Sequence, residues 1–113
     1  MSGTAADGTA YDDAFALLAE RARRRNGDRA ARVLELLSPG GRAVDLAAVG
    51  PAARDEAVRL CHAVAGSAGT FGERALGDAA RRLEVALRDG ADADVAPALD
   101  ALRAATGRTP GRR

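Results

Sequence analysis

Apolar side chains recur every three or four residues through most of this 113-residue chain. That spacing matches the turn of an α-helix, and no segment shows the strict alternation of a half-buried strand. The stripes begin near Tyr11, Ala30, Ala57, Leu76 and Val95, and short polar or glycine-containing segments separate them. The pattern predicts an all-α fold, an antiparallel helical bundle.

Turn signals place the first boundaries. The first helix is predicted from about residue 12 to residue 25, because the sequence Asn-Gly-Asp at 26–28 signals a turn whose aspartate can cap a second helix. The sequence Ser-Pro-Gly-Gly at 38–41 ends that second helix. A loop follows, with a single helical turn expected at 45–49.

Proline and glycine place the later boundaries. Pro51 suits the first turn of a third helix, which is expected to reach Phe71. A fourth helix ends at Asp89-Gly90, and a fifth covers about 94–105.

The length is that of one domain. Residues 1–10 are small and polar and are predicted to be a flexible lead-in, 11–105 the helical bundle, and 106–113 a flexible tail. These ends are typical of ordinary termini, which favours a free-standing protein. The completed bundle favours a monomer.

The charge balance excludes several broad classes of function. Seventeen basic residues face sixteen acidic ones, so no overall charge directs the chain to nucleic acid or to a membrane. No stretch has the length of a membrane span, and the N-terminus lacks the pattern of a signal peptide, so a cytoplasmic protein is expected. The basic run at 21–25 is interpreted as the solvated face of a helix, because no aromatic residues interleave it. Salt-dependent binding of oligonucleotides would instead favour a nucleic-acid-binding scaffold.

The only histidine, His62, follows the only cysteine, Cys61. One Cys cannot form an internal disulfide, and one His with one Cys cannot supply a zinc site, so no metal is expected on this chain. Adjacent side chains on a helix diverge by about 100°, so the two residues cannot act as a nucleophile and its base. Cys61 is expected to be a small packing residue at the edge of the core.

On a helical wheel His62 lies opposite the apolar stripe and therefore faces solvent. Gly66 and Gly69 fall within about 60° of it, although a glycine costs roughly 1 kcal/mol relative to alanine inside a helix. Glycines that serve a close helix crossing should face the core, and these two do not. We interpret them as clearance that lets a partner surface or a bulky anion approach the ring. The alternative is that His62 is an incidental surface histidine. The apolar stripe on the opposite side of the helix comprises Ala57, Leu60, Val64, Ala68 and Phe71.

One reaction needs a single accessible histidine and little else. A neutral imidazole nitrogen can attack an activated phosphoryl group, and the phosphoimidazole formed is itself an activated donor. Positioning and charge neutralisation can come from a partner protein that carries its own Mg²⁺. The chain itself is expected to bind no cofactor.

The segment 62–72, His-Ala-Val-Ala-Gly-Ser-Ala-Gly-Thr-Phe-Gly, resembles the signature of histidine phosphotransfer (HPt) domains. The resemblance is close over about residues 55–90. It implies a four-helix bundle with an additional N-terminal helix and an intermediate role in phosphorelays, without an ATP site. By position it implies His62 as the phospho-acceptor, Gly66 as the clearance residue and Ser67 as its small neighbour.

One position departs from the family pattern. Many HPt domains carry Lys three residues after the histidine, where this chain has Ala65. The missing positive charge can come from Arg59 on the same face, or from Arg81 or Arg88 on the next helix. For each arginine, a merely solvated side chain is the alternative.

The sequence therefore favours a histidine-containing phosphotransfer protein whose partners are receiver domains of response regulators or histidine kinases. The alternative is a degenerate adaptor or inhibitor that binds these partners without being phosphorylated. The presence of both His62 and Gly66 favours the first interpretation, because a pure binder does not need the nucleophile.

Overall fold

The computed structural model of this chain describes residues 3–106, with side chains from residue 10 onward. Its four helices are α1 (Gly3–Leu37), α2 (Pro51–Ala68), α3 (Arg74–Asp89) and α4 (Asp92–Ala105). Short 3-10 turns lie at Pro39–Gly41, Leu46–Ala48 and Gly69–Phe71. Residues 3–106 contain no strand, which confirms the predicted all-α fold.

The prediction of a turn at 26–28 was wrong, because α1 continues through it. Asn26 is fully buried, and its Nδ2 donates a hydrogen bond to Oγ of Ser67 on α2 at 3.1 Å. Its Oδ1 accepts from Nη1 of Arg29 at 3.0 Å. Burying this satisfied amide inside the helix outweighs the local preference of Asn-Gly for a turn. The predicted first and second helices are therefore one helix.

The start of α1 also differs from the prediction. The helix begins at Gly3, whereas residues 1–10 were predicted as a lead-in. Residues 4–6 are Thr-Ala-Ala, and alanine has the highest helix propensity, so the backbone can extend α1 toward the N-terminus. Residues 1–2 of that lead-in and 107–113 of the predicted tail lie outside the described residues.

Two later boundaries differ from the prediction: α2 ends at Ala68 rather than Phe71, because Gly69–Phe71 is a 3-10 turn, and α4 begins at Asp92 rather than about 94. The remaining boundaries follow the predicted signals. Pro51 is the first residue of α2. Gly72 and Gly90 adopt φ of 85° and 72°, a left-handed conformation that glycine accepts without steric cost, and they end the helical segments before them. The expected turn at 45–49 is the 3-10 turn Leu46–Ala48, capped by Asp45.

Helix α2 packs against α1 and α3, and α3 packs against α4. The side chains at these contacts are small, so the helices approach closely: a Cβ added at Gly77 of α3 would lie 3.5 Å from Cβ of Ala68 on α2. The core thus fixes the helix that bears His62 directly against α3. The largest fully buried side chains include Val33, Leu37, Val64, Leu83, Val95 and Leu102. Within 3–106 no helix has both the length and the apolar character needed to cross a membrane.

Candidate functional site

His62 lies past the middle of α2 and turns away from the core. Its side chain is 72% exposed, whereas Cys61 beside it and Val64 two residues later are each only 1% exposed. The helical wheel predicted this orientation. The imidazole is thus presented to solvent from a helix whose opposite face is anchored in the core.

A carboxylate on α3 holds the ring. Nδ1 of His62 lies 2.9 Å from Oε2 of Glu84, and Nη2 of Arg88 lies 3.2 Å from the same oxygen. The Glu84 side chain is only 10% exposed, and a buried carboxylate is tolerated when it is paired and hydrogen-bonded. An ionised carboxylate only accepts, so Nδ1–H is the donor. The lone pair of the imidazole is then on Nε2.

The ring borders an open hollow of about 410 Å³ between α2 and α3, here named the His62 hollow. Gly66, one turn after His62, forms part of its wall, and a Cβ added there would meet nothing within 4 Å. The space beside the imidazole is therefore empty of side chains, as the sequence predicted for this glycine. The residues lining the hollow are His62, Ala65, Gly66, Arg81, Glu84, Val85, Arg88 and Asp89.

The arginines predicted to supply positive charge separate into two groups. Arg81 and Arg88 both line the hollow from α3 and are exposed. Arg59 is exposed on α2 but is not among the residues that line the hollow. It lies instead near Glu56, where a hydrogen bond from Arg32 holds the pKa of the carboxyl below its ordinary value and Arg59 adds a smaller attraction. The described structure thus brings Arg81 and Arg88, not Arg59, to the His62 hollow.

The three predicted clearance residues also separate. Ser67 lies toward α1, where its hydroxyl accepts the hydrogen bond from buried Asn26. Gly69 is exposed in the 3-10 turn after α2 and does not line the His62 hollow. Of the three, Gly66 alone borders the hollow within the part of the chain that the structure describes.

A model of the Hpt domain family matches residues 18–109 of this chain, which includes all of α2, α3 and α4. The chain belongs to the Hpt domain family. Comparisons with curated proteins and with solved structures gave no match. Hpt domains carry phosphoryl groups on histidine in phosphorelays and are not ATP-binding enzymes, and their partners are receiver domains or kinases.

In this Hpt domain Cys61 is a packing residue. It is buried against the core, and burial raises the pKa of its thiol to about 12, with a further contribution from the charge of Glu84. A thiol with that pKa is almost wholly neutral at neutral pH and is a poor nucleophile. Cys61 is therefore a poor candidate for the nucleophile, and the exposed imidazole of His62 is the better candidate.

Sequence reasoning gave Glu84 no role at the site. A signal was present, because Glu84 lies four residues after buried Ala80 and three before buried Leu87, within the apolar stripe of α3. A carboxylate at such a position is rarely buried without a partner. Arg88, four residues later on the same helix, is one partner of Glu84 that local spacing indicates. His62 lies 22 residues from Glu84, so local spacing could not identify it as the other partner.

Proposed function

We propose that this Hpt domain is a histidine-containing phosphotransfer protein of a two-component phosphorelay. It accepts a phosphoryl group on His62 from a receiver-domain aspartate or a histidine kinase and passes it on. The observation that carries the proposal is the exposed imidazole, held by Glu84 at the edge of an open hollow lined by two arginines. The proposed compartment is the cytoplasm, where such relays transfer phosphoryl groups between soluble domains.

The proposed step is an in-line transfer. Nε2 of His62 attacks the phosphorus of an aspartyl phosphate, the N–P bond forms, and the P–O bond to the aspartate breaks with its electron pair remaining on the carboxylate. Nδ1 keeps its proton throughout. The positive charge that develops on the ring lies against Oε2 of Glu84, 2.9 Å from Nδ1. Glu84 thus acts as a positioning residue that orients the ring and stabilises the phosphorylated form.

Arg81 and Arg88 are proposed to neutralise the phosphoryl oxygens. Both line the hollow into which those oxygens would project, and phosphoryl transfer depends chiefly on positioning and charge neutralisation. They compensate for Ala65, which stands where many family members have Lys and which also lines the hollow. Guanidinium groups suit this role because they bind phosphate oxygens through paired N–H donors.

The open space at Gly66 is proposed to receive the partner's active-site surface. The partner receiver domain is expected to bring its own Mg²⁺, and this chain to bind no cofactor. Because a Cβ at Gly66 would meet nothing within 4 Å, the approach to the ring is unobstructed before any partner binds.

The decisive experiment is phosphoryl transfer from a panel of phosphorylated receiver domains to this protein and to His62→Gln. Ser67→Ala, a change five residues along the same helix at a position that does not line the hollow, is the matched control. Label that is acid-labile and alkali-stable is expected on the native protein and on the control, and none on His62→Gln.

The other outcomes are equally informative. No label from any receiver or kinase, with binding still measurable by titration, would replace the proposal with a non-phosphorylated adaptor. Label on His62→Gln would show that another residue accepts the phosphoryl group.

A further inference from the structure

Val85 is a large apolar side chain that α3 leaves in solvent beside the His62 site. It is 50% exposed, and it directly follows Glu84, the carboxylate that contacts His62. The other exposed large hydrophobic residues found among the described residues all lie on α1, at position 18 or earlier. On the part of α1 that pairs with α2, an exposed ion pair between Arg32 and Glu56 lies at the surface instead. A partner that approaches the imidazole therefore finds its apolar contact on the α3 side.

The surface neighbours of Val85 are charged. On a helix, residues three and four positions apart lie side by side. Valine also has a lower helix propensity than arginine or glutamate, so it does not favour α3 at this exposed position. An apolar side chain surrounded by charged ones is typical of the anchor of a protein–protein interface, whose rim excludes water. The exposed residues three or four positions from Val85 are Arg81, Arg82, Arg88 and Asp89.

Val85 and Arg81 border two neighbouring depressions. Both residues line the His62 hollow between α2 and α3, and both line a groove of about 450 Å³ between α3 and α4, here named the α3–α4 groove. The other residues that line this groove are Arg82, Ala86, Ala91, Asp94, Pro97 and Ala98. Most of them are small and apolar. The reactive hollow thus continues, across Val85, into a second surface that can receive apolar side chains.

A protein that delivers a phosphoryl group to His62 covers more than the hollow. Even a weak complex buries roughly 600 Å² on each partner, which corresponds to a circular patch of about 14 Å radius. Packed helices lie about 8–10 Å apart. A patch centred on the imidazole therefore extends across α3, over Val85, to the α3–α4 groove.

We infer that the receiver domain that phosphorylates His62 docks with Val85 as its apolar anchor and extends over the α3–α4 groove. This inference rests on the proposed function and identifies the surface through which the receiver is recognised. The receiver contributes an apolar side chain against Val85 and carboxylates toward Arg82, which lines the groove but not the hollow. A receiver's active face is acidic because oxygen ligands, chiefly carboxylates, hold its Mg²⁺.

The test is single-turnover transfer from a phosphorylated receiver over a range of receiver concentration, which separates the half-saturating concentration from the rate constant at saturation. The variants are Val85→Asp and Arg82→Glu. Leu17→Asp is the matched control, because Leu17 is 52% exposed and lines neither the hollow nor the groove. Circular dichroism checks that each variant keeps its helices. Phosphorylation by phosphoramidate, a donor too small to need a docking surface, gives the reactivity of His62 in each variant for reference.

Val85→Asp is expected to raise the half-saturating receiver concentration about tenfold, the loss typical of a removed interface anchor. Arg82→Glu is expected to raise it about threefold, because a rim charge is reversed. In both variants the effect should be larger with the receiver than with phosphoramidate, and Leu17→Asp should behave like the native protein.

Half-saturating concentrations within about twofold of the native value in both variants would overturn the inference and leave the proposed function standing. An equal loss with phosphoramidate, or an equal rise in Leu17→Asp, would overturn it too, because the effect would not then arise from docking at Val85. Absence of transfer to the native protein from every receiver would overturn the proposed transfer from receivers together with this inference.

Discussion

Nδ1 of His62 lies 2.9 Å from Oε2 of Glu84, so a nearly buried carboxylate on α3 holds an exposed imidazole on α2. The same oxygen lies 3.2 Å from Nη2 of Arg88. The ring is therefore oriented by a neighbouring helix as well as by its own, and the rest of the ring is exposed to solvent.

Replacing Glu84 with Gln is expected to slow phosphoryl transfer to His62 about tenfold. The amide removes a charge-assisted hydrogen bond worth about 1.5 kcal/mol, which corresponds to roughly that factor in rate. The substitution should also lower the population of the Nδ1–H tautomer of His62. Nitrogen chemical shifts of the imidazole measure this population. Asp78→Asn, at an exposed position of the same helix, is the control. An unchanged rate and tautomer in Glu84→Gln would show that the pair is only structural.

Replacing Arg81 with Ala is expected to slow transfer by up to about tenfold, because one charge-assisted contact to the phosphoryl oxygens is lost. Arg88→Ala should have a larger effect, since it also removes a partner of Glu84. Arg59→Ala is expected to leave the rate unchanged, because Arg59 does not line the hollow. Single-turnover transfer from a phosphorylated receiver distinguishes the three. A slower transfer rate in Arg59→Ala, with unchanged rates in the other two variants, would contradict the proposed roles of Arg81 and Arg88.

Replacing Gly66 with Leu is expected to stabilise the folded protein but to slow phosphoryl transfer to His62. The helix gains about 0.5–1 kcal/mol when a good helix former replaces glycine, and a Cβ meets no neighbour there. The leucine side chain nevertheless enters the hollow, so transfer should fall more than tenfold. Thermal unfolding and transfer rate are measured together. Gly69→Leu, outside the hollow, is the control and should keep its transfer rate; equal losses in both variants would contradict the proposed clearance.

Replacing Asn26 with Ala is expected to lower the free energy of unfolding by about 1–3 kcal/mol, because it removes a buried amide that pairs with Ser67 and Arg29. A double-mutant cycle with Ser67→Ala measures the coupling directly. The coupling should be favourable, and phosphoryl transfer by the folded variants should be unchanged. Zero coupling would show that the hydrogen bond does not stabilise α1 at this point.

Local features of the sequence determined most of the helix boundaries, the core faces of three helices and the exposure of His62. Helical periodicity gives the core faces of α2, α3 and α4, and Pro51 and Gly90 mark boundaries because each restricts or permits particular backbone angles. The exposure of His62 opposite the core, with Gly66 one turn away, follows from the geometry of a single helix. Each of these depends on residues a few positions apart.

Contacts between helices decided the continuity of α1 and the residues that surround His62. Asn26 and Gly27 favour a turn locally, yet a partner 41 residues away keeps α1 continuous. Glu84 contacts His62 although the two residues are 22 positions apart, and Arg81 and Arg88 line the His62 hollow whereas Arg59 does not. The rotation of α3 against α2 sets which side chains meet, and it is fixed by the close packing of small residues such as Gly77 and Ala68. No local spacing encodes that rotation, so only the folded structure could assign the partners of the histidine.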